Sequence, residues 1–155
     1  MARRISTQKR LPYRDFKYES LLVSLFVNRL LKAGKKQLTR RIIYSALVLI
    51  QQRLSQNPIL ILEKAVNNAS PRIELTSKFL SGVTYQIPTK LTRFRSTNFA
   101  VCWLIQEAKK RSEKNMVLNL ANELLDASKG MGGAVKKRDE EHKMVEANKA
   151  FATYE

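Results

Sequence analysis

Apolar positions recur at helical spacing along most of this chain and switch to strand alternation once, just before its middle. From about Ser20 to Ala33, Leu22, Phe26 and Leu30 share one helix face, and Gly34 is placed to end that helix as the residue after its last turn. A second helix is predicted from about Gln37 to Leu54. Leu38, Ile42, Ile43, Ala46, Leu47, Leu49 and Ile50 cover half its circumference, with Arg40 and Arg41 on the other half. Asn57-Pro58 reads as a cap followed by proline at the first helical position, opening a third helix that must stop before Pro71. Ile73 and Leu75, then Val83, Tyr85 and Ile87, alternate with polar residues around a turn at Leu80-Ser81-Gly82. This predicts a hairpin over residues 72–88 closed by Pro88. Helix resumes from about Thr97 to Arg111 and from about Asn115 to Ala127. The Gly130–Gly133 loop leads to a last helix from Ala134, with Met144, Ala147, Phe151 and Tyr154 as its apolar stripe. The pattern therefore describes a mainly α single domain, residues 1–155, with an inserted two-stranded β-ribbon. A lone ribbon is marginal in water, so it must pack on the helices or meet a ligand.

A chain of 155 residues suits one domain with a core of its own. Charge changes the picture. Lys and Arg number 29 against 13 Asp and Glu, a net +16 and a pI near 10.3. A domain so charged repels itself, and a polyanion relieves the repulsion. Nucleic acid is the first such partner, as duplex-bending DNA architecture or as folded RNA. A membrane surface is the poorer fit because the cations are scattered over arm, turn and several helices. The first ten residues carry no apolar core, so no secretory leader is expected. Cys102 is alone, which excludes an intrachain disulfide or a CxxC site.

Catalytic readings fail on residue type. His142 is the one histidine, with Asp139 a turn before it, and this pair is too small a set for a metal site or a triad. The loop Gly130–Lys136 lacks the GxxxxGK[ST] spacing and follows a helix where a phosphate loop follows a strand. Cys102 and Trp103 lie in the most apolar helical stretch and read as core. No enzyme activity, cofactor or metal is expected.

The basic clusters are unequal. Arg3, Arg4, Lys9 and Arg10 form an arm over residues 1–12 with no acidic residue in it. Lys35, Lys36, Arg40 and Arg41 join a turn to a helix face without nearby carboxylates. Lys109, Lys110 and Arg111 end a helix, where the macrodipole favours cations anyway. Lys136, Lys137 and Arg138 begin one, against the dipole, with Glu140 and Glu141 as partners in the weaker orientation. Free N–H groups and three cations together predict an anion site, and the cluster is expected to lower the stability of the free protein.

Several stretches carry a resemblance. They are Gly34-Lys35-Lys36, Ile43-Tyr44-Ser45-Ala46-Leu47, Pro71-Arg72-Ile73-Glu74 and residues 82–88, GVTYQIP. They continue with residues 120–127, LANELLDA, then Ala134-Val135-Lys136-Lys137-Arg138, His142-Lys143-Met144 and residues 146–152, EANKAFA. In order and over nearly the whole chain, these resemble the small-subunit ribosomal protein seven family in its bacterial and organellar form. The resemblance implies a six-helix domain with a β-ribbon arm that binds small-subunit ribosomal RNA. In that family the protein organises the head, built on the 3′ major domain, beside the protein nine and eleven families. Ribbon and last helix would lie near the exit site, with its transfer RNA, and the messenger exit channel.

The rRNA contacts expected are Arg3, Arg4, Lys9, Arg10, Lys35, Lys36, Arg40, Arg41, Arg72, Lys78, Arg93, Arg95, Lys109, Lys110, Arg111, Lys114, Lys136, Lys137 and Arg138. Phe79, Leu80, Ser81, Gly82, His142 and Lys143 would stand in the exit-site vicinity. No membrane and no small-molecule substrate are implied. The ribbon departs from the family habit of several basic residues before a double glycine, placing Phe79 and Leu80 there instead. That favours stacking or apolar contact at its tip. The segment Thr92–Thr97 and the C-terminal ending are also atypical. The Lys/Asn-rich, Gly-poor composition points to a plastid ribosome in the stroma rather than a bacterial one. Deleting residues 1–10 should leave the fold intact and weaken rRNA binding. The slope of log K against log salt should fall by about one unit per lost phosphate contact. An unchanged slope would mark the arm as a solvated tail.

Overall fold

The computed structural model describes residues 12–80 and 82–150. The order is α1 (Leu21–Leu30), α2 (Lys36–Leu54), α3 (Pro58–Ala69), β1 (Ile73–Leu80), β2 (Val83–Lys90), α4 (Arg93–Lys110), α5 (Met116–Ser128) and α6 (Gly133–Ala147). This is the mainly helical fold with one ribbon that the sequence predicts. Residues 1–11 of the arm, Ser81, Phe151 and Tyr154 lie outside the described residues.

Capping residues set the helices where they stand. The Asn57 side chain accepts the Ile59 N–H at 3.0 Å with Pro58 at the first position, and the Asn115 side chain accepts Val117 N–H at 3.0 Å. Ser55, in the left-handed region at φ 52°, stops α2. The core is built around α5, which packs on α2, α3, α4 and α6. Its Leu120, Ala121, Leu124 and Ala127 meet Ile43, Leu47 and Ile50 of α2, Leu62 and Val66 of α3 and Leu104 of α4 in one cluster. Each large side chain buried there contributes roughly 1.5–3 kcal/mol.

Four boundaries or faces differ from the sequence pattern. Helix α1 ends at Leu30 because Leu31 is extended, so Gly34 does not follow the last turn. With Ala33 it supplies a left-handed turn into α2, at φ 72° and 52°. Leu38, expected on the buried face of α2, is exposed, and Thr39 is buried in its place. Helix α4 begins a turn earlier than Thr97, at Arg93, with Thr92 at the N-cap position and no side-chain cap. Arg93, Phe94 and Arg95 form an outward first turn with no buried residue to show it in the pattern. In α6 the inward residues are Ala134, Val135 and Val145, while Met144 and Ala147 face out. At about 100° per residue, Val145 falls on the stripe of Ala134 and Val135, and Met144 and Ala147 fall outside it.

The ribbon is antiparallel, with Ile73 opposite Lys90 and Leu80 opposite Val83. Pro88 does not close it. It pairs with Leu75 inside β2, which runs to Lys90. Each strand of a two-stranded ribbon has an unpaired edge, where proline is tolerated. The base is fastened to the helices: Ile87 is fully buried, and Ser96 Oγ donates to the Pro71 carbonyl at 2.6 Å. Arg95 pairs with Glu74 at 2.9 Å, and Leu91 N–H reaches the Arg72 carbonyl at 3.1 Å.

Residues 12–18 lie against α1 and α2 as a strap held by one carboxylate. Asp15 is buried; its oxygens accept the Tyr44 hydroxyl at 2.8 Å and the N–H groups of Lys17 and Tyr18 at 3.1 and 3.4 Å. The Tyr18 ring meets Tyr44 edge-on at 5.6 Å. Burial, and then the bond to Asp15, push the Tyr44 phenol up to about 12 from an ordinary 10. A phenol held neutral in the fold stabilises it fully below pH 10, and that contribution is lost as pH rises through about 12. Tyr44→Phe should therefore lose roughly 1–2 kcal/mol at neutral pH. The gap between variant and parent should close across the same alkaline window, which denaturant titrations from pH 7 to 12 measure. A gap that widens there would assign Tyr44 the wrong partner.

Candidate nucleic-acid interface

No acidic residue stands between Glu19 and Glu63, a stretch that holds α1, the following turn and α2. Lys35, Lys36 and Arg41 project from it into solvent with no ion pair among the described residues. Lys32 of the same turn is equally exposed. Arg40 is drawn in, half-buried against a cavity, and its Nε is buried without a hydrogen-bond partner. Elsewhere, Arg72, Arg93, Lys109, Lys114, Lys136 and Lys143 are exposed and without ion pairs among the described residues. Arg95 is exposed but bound to Glu74, and Lys110 holds Glu107 at 2.8 Å. Lys78 is half-buried in β1 opposite Tyr85.

At the start of α6 the anion is the chain's own. Glu123 of α5, 2% exposed at its side chain, accepts the Ala134 N–H at 3.1 Å through Oε1. Its Oε2 takes Arg111 Nε and Nη2 at 2.9 and 2.6 Å, and Arg111 also binds Asp126. Burial alone would lower the Arg111 pKa, but the bonds to Asp126 and Glu123 outweigh it and the net shift is upward. Glu107 of α4 lies 2.9 Å from Lys137. The glycines make this approach possible: a Cβ at Gly132 would stand 3.1 Å from Glu123 Oε1, and one at Gly133 would stand 2.6 Å from Glu107 Oε2. The Gly130–Gly133 loop is thus shaped around carboxylates from α4 and α5.

The predicted partners of the cluster are corrected accordingly. Lys137 pairs with Glu107 and donates to Gln106 at 3.0 Å rather than turning to Glu141. Arg138 binds Asp139 at 2.6 Å and the Asn68 carbonyl. Lys136 alone of the three is fully outward. The expectation that the cluster weakens the free fold gives way, for Lys137 and Arg138, to bonds that strengthen it.

Phe79 is 72% exposed and Val83 52%, so the ribbon tip presents apolar surface beyond its fastened base. Gly82 makes the turn at φ 87°. His142 is half-buried below, its Nε2 accepting the Arg72 N–H at 3.3 Å, so the histidine positions the ribbon base. Cys102 is half-buried rather than core, and Trp103, also half-buried, packs on the core cluster with Phe99 at 5.8 Å. No cluster of metal-ligating side chains occurs among the described residues, and no described helix is long and apolar enough to cross a membrane. Sequence reasoning passed over Asp15, Glu107 and Glu123, for which no local pattern exists. It also passed over Tyr13 and Phe16, whose signal was available in the alternation of aromatic and basic residues from Tyr13 to Lys17.

The Glu107 carboxyl shows what the internal pairing contributes. Burial would raise its pKa, but the Lys110 and Lys137 ammonium groups outweigh that and hold it below the ordinary 4.5. A lowered carboxylate stabilises the fold above its ordinary value, and the contribution is lost as pH falls through the depressed one. Lys137→Gln should lose roughly 1–2 kcal/mol at neutral pH, and the loss should shrink below about pH 4. Lys136→Gln should stay within about 0.5 kcal/mol of the parent. Equal melts for all three proteins would return Lys137 to the solvated surface.

Residues 1–149 match the family described as ribosomal protein S7p/S5e. The chain is 47% identical to small ribosomal subunit protein uS7 of Synechococcus elongatus over 154 residues, 99% of each chain. It is 46% identical to that of Syntrophus aciditrophicus and 45% to that of Syntrophobacter fumaroxidans, each at the same coverage. The matches run through arm, helices and ribbon alike. The chain therefore belongs to the ribosomal protein S7p/S5e family, non-enzymatic structural components of the small ribosomal subunit.

Proposed function

We propose that this protein neutralises phosphates where several helices of the 3′ major domain of small-subunit rRNA meet, and so holds the subunit head in one arrangement. The observation that carries this reading is the carboxylate-free stretch from Glu19 to Glu63, whose Lys35, Lys36 and Arg41 stand exposed on a rigid helical body. Cations supply affinity, and the helices fix where they point. Arg72, Arg93, Lys109, Lys114 and Lys136 extend the contact surface, with Arg40, Lys78 and Arg95 at its edge and Arg3, Arg4, Lys9 and Arg10 from the arm. Lys110, Arg111, Lys137 and Arg138, committed to internal acceptors, contribute mainly by shaping that surface.

The ribbon tip and the His142–Lys143 end of α6 are assigned to the exit-site transfer RNA and the messenger exit channel, with the protein nine and eleven families as neighbours. The exposed Phe79 supports a stacking or apolar contact there in place of an ionic one. Composition supports a plastid ribosome, in keeping with the cyanobacterial relative, and co-sedimentation of the endogenous protein with plastid subunits tests the location.

Binding to a transcript of the 3′ major domain, in competition with duplex DNA, tests the main reading. Lys35, Lys36 and Arg41 replaced together by Gln should reduce the salt slope by up to about three units. Phe79→Ala should leave that slope unchanged and lose roughly 1–3 kcal/mol of whichever contact the ring makes in the assembled subunit. A protein that prefers duplex DNA, or a triple variant with an unchanged slope, would overturn the reading.

A further inference from the structure

Tyr13 and Phe16 are each 96% exposed, the two most exposed large hydrophobic side chains among the described residues. Single exposed apolar residues need no explanation. These two flank Asp15, whose carboxylate fixes the strap to Tyr44 and to the backbone of Lys17 and Tyr18. A segment so anchored could have turned either ring inward, and both stand out. A cation follows each of them in the sequence. Arg14 and Lys17 are on the strap itself, and Lys17 Nζ sits 5.5 and 5.4 Å from the Tyr18 and Tyr44 ring centres. A cavity of about 280 Å³ opens beside Tyr13, lined by Pro12, Arg14, Asp15, Lys36 and Arg40. Its one carboxylate, Asp15, is engaged by Tyr44, and its Arg40 carries the buried Nε that lacks a partner. Glu19 is the nearest exposed carboxylate along the chain.

Outward aromatic faces interleaved with guanidinium and ammonium groups match one ligand chemistry: unpaired nucleotides, which offer a π-face and a phosphate at each step. A paired helix offers phosphates but hides its base faces. We propose that residues 12–18, with Lys36 and Arg40 of α2, form a single-stranded RNA platform. Unpaired bases stack on Tyr13 and Phe16, and an adjoining phosphate enters the cavity between Arg14, Lys36 and Arg40. The proposal rests on the rRNA-binding reading above and adds which form of RNA this face takes.

The test uses the full chain with three fluorescently labelled probes: the 3′ major domain transcript, a 12-nucleotide unpaired RNA and a 12-base-pair RNA duplex. Changing Tyr13→Ala and Phe16→Ala together should weaken binding of the unpaired probe by about tenfold or more. Duplex binding and the melting temperature should not change, since neither ring packs in the fold. Tyr13→Phe with Phe16→Tyr should restore binding. Arg14→Gln with Lys36→Gln should lower the salt slope for the unpaired probe by about two units. Unpaired-probe binding unchanged by the alanine pair would overturn the proposal, as would equal losses on both short probes. So would unchanged RNA binding with poorer uptake into subunits, which would make the face a protein contact. A parent protein that binds the transcript without engaging the unpaired probe sinks this proposal alone. One that binds no RNA sinks it together with the rRNA reading.

Discussion

A single buried carboxylate joins the second half of this fold. Glu123 leaves α5 to accept Arg111 at the end of α4 and the Ala134 N–H at the start of α6, so three helices meet on one side chain. A charge taken out of water needs most of its acceptor sites filled, and these bonds fill them. The arrangement also depends on Gly133, where a side chain would displace Glu107, and on Gly132, whose φ of 100° strains any other residue and whose side chain would crowd Glu123. Because α6 is placed by this junction, so is His142, and with it the base of the ribbon.

The same economy recurs in how the protein carries its charge. A net +16 would strain any domain of this size, and the scarce carboxylates are concentrated where they organise structure. Asp15 holds the strap, Glu74 the ribbon base, and Glu107 and Glu123 the α4–α5–α6 junction. Arg111 and Lys137 are drawn inward by these groups, while Arg95 and Lys110 pair with them from the surface. Those of the α1–α2 turn, without an ion pair among the described residues, stay outward. The division between paired and outward cations follows from where the acids lie in three dimensions.

The ribbon shows a complementary division. Its base is bound to α4 and α6 through Ile87, Ser96, Arg95 and His142, while Phe79 and Val83 extend past everything that could bury them. A two-stranded ribbon needs such a foundation to keep an exposed tip in a defined place.

By itself the sequence determined the helices, the ribbon and its turn, and the basic character of the surface. Period, caps and charge are local properties that no packing can erase. Asn57-Pro58 and Asn115 marked helix starts correctly because a cap acts within three residues. Tertiary structure alone decided which cations are spent inside. Lys136, Lys137 and Arg138 are near-equivalent in the chain, yet 100° steps around α6 aim one at solvent, one at Glu107 and one at Asn68. Their partners come from α3 and α4, 31 and 70 residues away in the chain for Gln106 and Asn68. The same holds for Asp15 and Tyr44, and for Arg72 and His142. A local pattern carries no record of such pairings, because they exist only once the helices have packed.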